Sequence, residues 1–332
     1  RQTLMLAAMF HDIAKPVTTY SVFQDGRNKI KASKHETIGM SYLTHRLSSL
    51  PITRNQYRDI IMLVGYHQMP KLLVIKDQSR WHYHALARKV RLNMLYYLEI
   101  ADMRGRISND LDEQLTYLEL FKLNACEFGC FDSNEGEKEA LQCLEEHEYL
   151  KAKGFKALLS GEIYQPEEAL AKFYEPAQSH ASVILTSGLS GSGKSRWVSH
   201  NKTDKIIVSL DEIRAEIGGN RQNMKHEGQV VNLAKERLKD ALRNKQCVIY
   251  ESTGIRRDIR NKVIRLAENY GALTRCLLVT NDFNVIQNQN KSRPYPVDDK
   301  VLHKQHDRFE FPEPNDFDHF TWLHEHEFLW ND

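Results

Sequence analysis

Residues 182–195 read SVILTSGLSGSGKS. The first half is a short apolar, β-branched run of the kind that forms a strand buried on both faces. The second half, from Gly188 to Ser195, fits G-x-x-x-x-G-K-[ST]. Its glycines let the backbone turn tightly and aim several N–H groups inward, and the helix that follows adds its positive end, so the loop can cradle phosphates. The residues expected around them are Gly188, Ser190, Gly191, Ser192, Gly193, Lys194, Ser195 and Arg196, with Lys194 on the β- and γ-phosphates and the Ser195 hydroxyl on Mg²⁺. The expected cofactors are a nucleoside triphosphate (ATP or GTP, because such a loop reads only phosphates) and Mg²⁺. Downstream, IIVSLDEIR ends an apolar run in Asp211, with Arg214 one helical turn on. A carboxylate at the C-terminal end of a neighbouring strand would face the same crevice. Asp211 could then accept the proton of an incoming hydroxyl. Arg214 suits bidentate contact with a phosphate on the acceptor. Taken alone, the same pair serves equally as a helix N-cap and a solvated arginine.

A second set of residues lies in the first third of the chain. MFHDIAKP holds adjacent His11 and Asp12, KHETIG holds His35, GYHQMP holds His67 and EIADMRGR holds Asp102. A His or Asp on an apolar helix needs a partner when buried. Helices that each present one or two such groups inward can coordinate a metal. Mixed imidazole and carboxylate donors suit Mn²⁺, Fe²⁺, Co²⁺, Ni²⁺ or Zn²⁺. An Asp beside a His can bridge two metals, and a bound water then becomes a nucleophile near neutral pH. His82, His84, His303, His306, His324 and His326 are read as ordinary core or surface histidines.

The elements that must position these residues divide the chain. With 332 residues and 41% apolar content it is long enough for two cores. A net charge of +2 gives no global attraction to nucleic acid, so any polyanion contact must be local. Five scattered cysteines suit reduced thiols and a cytoplasmic location. Neither a membrane span nor a signal peptide is visible. Residues 1–175 read as almost entirely helical, with Leu4, Ala7, Ala8 and Ile13 on one buried face and Ile60, Leu63, Val64 and His67 on another. A long helical pattern from His82 to Arg106 is interrupted at Gly105. From Ser182 short apolar runs (183–186, 206–210, 248–250 and 274–279) alternate with helical stretches, the rhythm of a parallel sheet covered by helices. The expected organisation is 1–150, a helical connector over 151–178, and 179–332.

The order and spacing of His11–Asp12, His35, His67 and Asp102 resemble the HD-domain phosphohydrolases over residues 1–110. The resemblance implies that these five residues are ligands of a divalent transition metal, and that Lys15, Arg88, Arg104 and Arg106 contact substrate phosphates. It also implies a further His on a preceding helix. The chain opens at Arg1 inside an apolar helical pattern and none of the ten residues before His11 is His, so an upstream segment, and a weakened site without it, are expected. The phosphate loop followed by D-x-x-R resembles the polynucleotide 5′-kinases of nucleic-acid repair. That implies Asp211 as general base for a polynucleotide 5′-OH, Arg214 on the adjacent nucleotide phosphate, Arg257 and Arg260 on further phosphates, and Arg293 of NQNKSRPYPV as the lid arginine on the transferring group. The family's acidic residue after the third strand is shifted here to Glu251 or missing.

The whole chain therefore resembles bacterial fusions of an HD-domain phosphoesterase with a polynucleotide kinase. The expected fold is an N-terminal all-α HD domain and a C-terminal α/β P-loop kinase with a parallel sheet. The expected activity is nucleic-acid end healing, with RNA or DNA ends and an RNA ligase as partners and no membrane. Two other readings stay open: a metabolite kinase fused to an HD nucleotidase, and an ATP-switched module that binds RNA ends without catalysis.

Overall fold

The computed structural model describes every residue except Asp25, Gln222, Asn223 and Asp332. The chain divides into two compact units, Arg1–Glu146 with Gly154–Glu168, and His147–Lys153 with Ala169–Asp332. Residues 151–178, expected as a connector, are thus divided between the two.

The first unit is mainly helical. Four of its helices matter here: Gln2–Phe10, His35–Leu43, Arg54–Tyr66 and Leu92–Arg104. Arg54–Tyr66 opens with a capping box, in which Thr53 and Gln56 satisfy each other's backbone N–H. Every residue of it from Ile60 to Tyr66 is buried, so it is a central helix. Gly65 lets its neighbour come close, since a Cβ there would stand 2.6 Å from Met40 Sδ of His35–Leu43. The buried face of Gln2–Phe10 carries Thr3 and Ala7, and Ala8 is exposed, which rotates the expected face. The pattern from His82 to Arg106 is two helices, Arg80–Ala87 and Leu92–Arg104, so the break precedes Gly105.

The all-helical expectation misses a two-stranded antiparallel hairpin, β1 (Thr19–Gln24) and β2 (Arg27–Ala32). The signal was present: β-formers flank an Asp25-Gly26 pair, the commonest sequence cue for a tight hairpin.

The second unit is an α/β fold on a six-stranded sheet. Its strands are β3 (Ser182–Ser187), β4 (Ile206–Ser209), β5 (Cys247–Glu251), β6 (Leu273–Thr280), β7 (His319–His324) and β8 (Glu327–Asn331). Their order is β4-β5-β3-β6-β7-β8, with β8 antiparallel and the others parallel. β6 is buried along nearly its whole length, as an interior parallel strand should be. The chain leaves β3 toward β4 and β5 on one side and then crosses to β6 and β7 on the other. The C-terminal ends of β3 and β6 therefore flank a topological switch point, where such sheets open a ligand crevice. Segment 147–153 is fastened to the sheet by Tyr149 and Lys153. The Tyr149 hydroxyl donates to Gly271 O at 2.8 Å, and Lys153 Nζ lies 2.7 Å from Asp318 Oδ2.

Among the described residues no helix is long and apolar enough to cross a membrane. All five cysteines are free thiols.

Candidate functional site

The phosphate-binding loop turns at the C-terminal end of β3. Gly188, at φ 145°, lies so close to β6 that a Cβ would sit 2.3 Å from Val279 O. Gly193, at φ 105°, is the left-handed residue from which the helix Lys194–Asn201 starts. Buried Lys194 folds back on the loop, donating to Gly188 O at 2.9 Å and Leu189 O at 2.7 Å. Burial, and then the charge of Arg293, hold its pKa down to about 8. The Ser195 hydroxyl donates to Glu251 Oε1 at 2.6 Å. Glu251, at the end of β5, thus sets a carboxylate on the hydroxyl expected to meet Mg²⁺. Gln305, from the helix Asp299–Asp307, accepts from Ser190 N at 3.0 Å.

A cavity of about 270 Å³ opens in front of the loop. Its wall contains Ser190, Gly191, Gly193, Lys194, Ser195, Arg196, Asp211, Arg214 and Arg293, together with Glu251, Ser252, Thr253 and Gln289. Gly188 and Ser192 are buried behind it. Ser209 caps the helix Leu210–Gly218, its side chain accepting from Glu212 N, so Asp211 is not the N-cap and presents its carboxylate from the first turn. Arg214 pairs with Asp211 and makes a two-pronged contact with Glu227, at 2.9 Å from Nε and 2.9 Å from Nη2. The bond to Glu227 is the main reason its pKa is raised. No motif pointed to Glu227 or Gln305, whereas Gln289 lies in the lid motif NQNKSRPYPV, where relatives carry a further arginine.

Two arginines expected on phosphates are engaged in the fold. Arg257 holds Asp316 with both prongs, at 3.0 and 2.9 Å. Arg260 is 1% exposed and donates to Gly254 O at 2.7 Å and Phe311 O at 3.5 Å. Neither lines the cavity. An amphipathic helix shows an arginine on either face alike, and only the packing decides which is buried.

In the first unit, the five ligand candidates all stand at or near helix ends. His11 follows Gln2–Phe10, His35 starts its helix, His67 ends Arg54–Tyr66 and Asp102 lies in the last turn of Leu92–Arg104. Each imidazole donates Nδ1–H to the carbonyl three residues earlier. The partners are Ala8 O at 2.8 Å for His11, Ala32 O at 2.7 Å for His35 and Val64 O at 2.8 Å for His67. That fixes the ring orientation and leaves every Nε2 to point at one place. There, His35 Nε2 lies 3.3 Å from His67 Nε2 and 3.3 Å from Asp12 Oδ1. His11 Nε2 lies 3.2 Å from Asp12 Oδ2 and 3.4 Å from Asp102 Oδ1.

One ligand atom each from Asp12, His35 and His67 fall within 4.8 Å of one another. His11 Nε2 and Asp12 Oδ1 are buried and lack a hydrogen-bond partner. Converging, orphaned donors of this kind fit a divalent transition metal. Without one, charges balance internally. Burial pushes the His11 pKa down, but the carboxylates of Asp102 and Asp12 beside its Nε2 outweigh it and raise it to about 10. Burial raises Asp102, but His11 and Arg106 overcome this and lower it to about 2. Burial, with the carbonyl of Val64 opposing it, lowers His67 to about 4 and keeps that ring neutral.

Lys15 Nζ is 2.6 Å from Asp12 Oδ2, at the cluster as expected. Arg106 pairs with Asp102, and Arg104 is exposed. Arg88 is elsewhere: its Nε is 2.9 Å from both Glu137 oxygens and its guanidinium lies 3.5 Å from the centre of the Phe155 ring. That is a packing role and not the phosphate contact the resemblance implied.

The family match lies in the second unit. The family model described as AAA domain matches residues 183–312. A gluconokinase from Sinorhizobium meliloti 1021 is similar in structure, with 18% identity over 46% of this chain and 86% of its own, at a TM-score of 0.32. The Deinococcus radiodurans tunicamycin resistance protein is similar with 13% identity over 39% of this chain and 79% of its own, at a TM-score of 0.29. Comparison with curated proteins returned no match. The matched segment carries the phosphate loop, the Ser195–Glu251 pair and the four parallel strands β3 to β6, so the match falls on a P-loop α/β arrangement whose loop is shaped for the phosphates of a nucleotide with Mg²⁺.

Proposed function

We propose that the protein is a bifunctional nucleic-acid end-healing enzyme. In this reading its P-loop domain phosphorylates a polynucleotide 5′-OH, and its histidine–aspartate cluster is an HD-type phosphohydrolase site that opens 2′,3′-cyclic phosphates or removes 2′-phosphates. The observation that carries the kinase half is that Lys194, Asp211, Arg214 and Arg293 line one cavity. For transfer, Lys194 exchanges the carbonyls of Gly188 and Leu189 for the β- and γ-phosphates. Asp211 takes the proton of the incoming hydroxyl as its oxygen bonds to the γ-phosphorus and the bond to the leaving diphosphate breaks. Arg293 neutralises charge on the transferring group. Arg214 holds the acceptor's own phosphate once Glu227 gives way.

The hydrolase half is supported by the convergence of Asp12, His35 and His67 with His11 and Asp102 beside them. A divalent metal bound there would supply Lewis-acid activation of the attacking water. His11, His35, His67, Asp12 and Asp102 would hold it, and Lys15 would compensate the phosphate charge.

A short RNA with a 5′-OH and a 2′,3′-cyclic phosphate tests both halves. It is incubated with γ-labelled ATP or GTP, Mg²⁺ and a panel of transition metals. Label at the 5′ end and phosphate chemistry at the other end are scored separately. Asp211→Ala should abolish only the first and Asp12→Ala only the second. Label that reaches no RNA with either donor sinks the polynucleotide assignment.

One observation favours a second reading, a kinase for a small hydroxylated acceptor. Arg214 is already held by Asp211 and Glu227, and a cavity of about 270 Å³ suits a small acceptor. Transfer to small alcohols at rates above those for RNA would establish it.

A further inference from the structure

The hairpin β1–β2 stands between Lys15 and His35 in the chain and takes no part in the chemistry above. Its register pairs Tyr20 with Lys31, Val22 with Lys29 and Gln24 with Arg27. Directly paired residues share a face. One face therefore presents Arg27, Lys29 and Lys31 in a row at about 6.7 Å intervals, with Tyr20 beside them. The Tyr20 hydroxyl lies 2.9 Å from Ser33 Oγ and Lys31 Nζ donates to Gln24 Oε1 at 2.7 Å. The other face carries Phe23 and Ile30, which are 73% and 79% exposed. A two-stranded ribbon is marginal by itself in water, and apolar side chains left exposed on it point to a partner.

The charge is concentrated here. Residues 13–34 hold five cations and one carboxylate, a larger positive excess than the +2 of the whole chain. The row also leads to the cluster. A cavity of about 490 Å³ at the root of the hairpin is lined by Thr19 and Lys31 of the ribbon, by Lys15 and Lys34, and by His35 with Glu36. His35 belongs to the metal cluster as well.

We propose that this hairpin is a binding arm for single-stranded polynucleotide, gripping the few nucleotides that precede a terminal phosphate and leading that phosphate to the His35 cavity. Single-strand binders combine cations that track the backbone with aromatic faces on which bases stack, and the face bearing Tyr20, Arg27, Lys29 and Lys31 offers both on an extended ribbon. The inference rests on the hydrolase reading above for the chemistry at the end of the strand, but not for the grip itself.

The test compares the full chain with an R27S/K29S variant, which leaves Lys31 in the cavity wall. The two substrates are a 5′-labelled RNA decamer ending in a 2′,3′-cyclic phosphate and a mononucleoside 2′,3′-cyclic phosphate. On the decamer at low salt, kcat/KM should fall at least about tenfold, and its salt dependence should flatten by about 1.4 in the log–log slope, two contacts at roughly 0.7 each. On the mononucleotide it should not change. R27K/K29R should behave as the wild type. Equal losses on both substrates, or none on either, overturn the arm. If the wild type hydrolyses neither substrate the hydrolase reading fails, and anisotropy of the labelled decamer then reads the arm directly. The same flattening of slope supports it and identical slopes overturn it. Loss of a dimer in sedimentation with RNA binding unchanged also overturns it, assigning the face to self-association.

Discussion

Arg260 separates a phosphate-binding arginine from a structural one. The resemblance to polynucleotide kinases puts it on substrate. The structure puts it in the core, with its guanidinium on the carbonyls of Gly254 and Phe311. Gly254 O also accepts from Ser187 Oγ at 3.0 Å, so Arg260 and Ser187 together pin the turn that carries Ser252 and Thr253 into the cavity wall. Arg260→Ala removes charge-assisted hydrogen bonds worth about 1.5–3 kcal/mol. It also removes two buried methylenes at about 0.8 kcal/mol each. Against this stands relief from burying a charge, which is what pushes the Arg260 pKa down. The balance is a loss of about 2–3 kcal/mol, or roughly 8 °C for a unit of this size. Arg260→Met keeps most of the volume and should lose only about 1 kcal/mol, because the charge-burial penalty disappears with the hydrogen bonds. The assay is thermal unfolding with and without ATP and Mg²⁺, where the nucleotide-responsive transition identifies the second unit. A melting point for Arg260→Ala within about 2 °C of wild type, with a much higher KM for a polynucleotide acceptor, would refute the structural role.

Three other outcomes are expected. Asp211→Asn should lower single-turnover transfer by about 10²–10³-fold with nucleotide affinity unchanged, as loss of a positioned base does; equal losses in both would make Asp211 a binding residue. Asp12→Ala should cut the metal retained per chain, measured by elemental analysis after dialysis, and a chelator should lower the melting point of the wild type but not of the variant. Lys194 gives a pH signature in the nucleotide-free protein. Its pKa falls from 10.5 unfolded to about 8 folded, so between those values the unfolded chain binds the extra proton and stability rises with pH. At pH 7 the buried ammonium costs about 3 kcal/mol, which is recovered as pH climbs from 8 to 10.5. Lys194→Met should abolish transfer and remove that rise; an unchanged pH dependence in urea titrations would mean that Lys194 is solvated.

Local signals and long-range packing divide the molecule clearly. The loop from Gly188 to Ser195 could be read because its function needs only consecutive residues with particular backbone freedom and a helix behind them. The strands of the sheet through β6 announced themselves as apolar runs. β7 and β8 were missed, although Trp322 and Leu323 are buried, because polar residues interrupt their alternation. The β1–β2 hairpin carried its Asp25-Gly26 cue inside a stretch otherwise read as helix.

Partners were less visible. That Ser195 meets Glu251, that Arg214 is held by Glu227 and that Ser190 N is covered by Gln305 are contacts across 56, 13 and 115 residues, and no pattern in one strand or helix specifies them.

The order of residues supplied the groups: a phosphate loop, a carboxylate and a guanidinium one helical turn apart, and a His-Asp pair with two more histidines and a further Asp. These follow from side-chain chemistry and from short-range backbone preference, and both are properties of neighbouring residues. The state of each group was set by packing. It buried Arg260 and Arg88 in packing roles, turned three imidazole Nε2 atoms toward one point, and lowered the proton affinity of His67 while raising that of His11. Desolvation and Coulomb interaction depend on distance through space, and that distance is set by how helices far apart in the chain pack against one another.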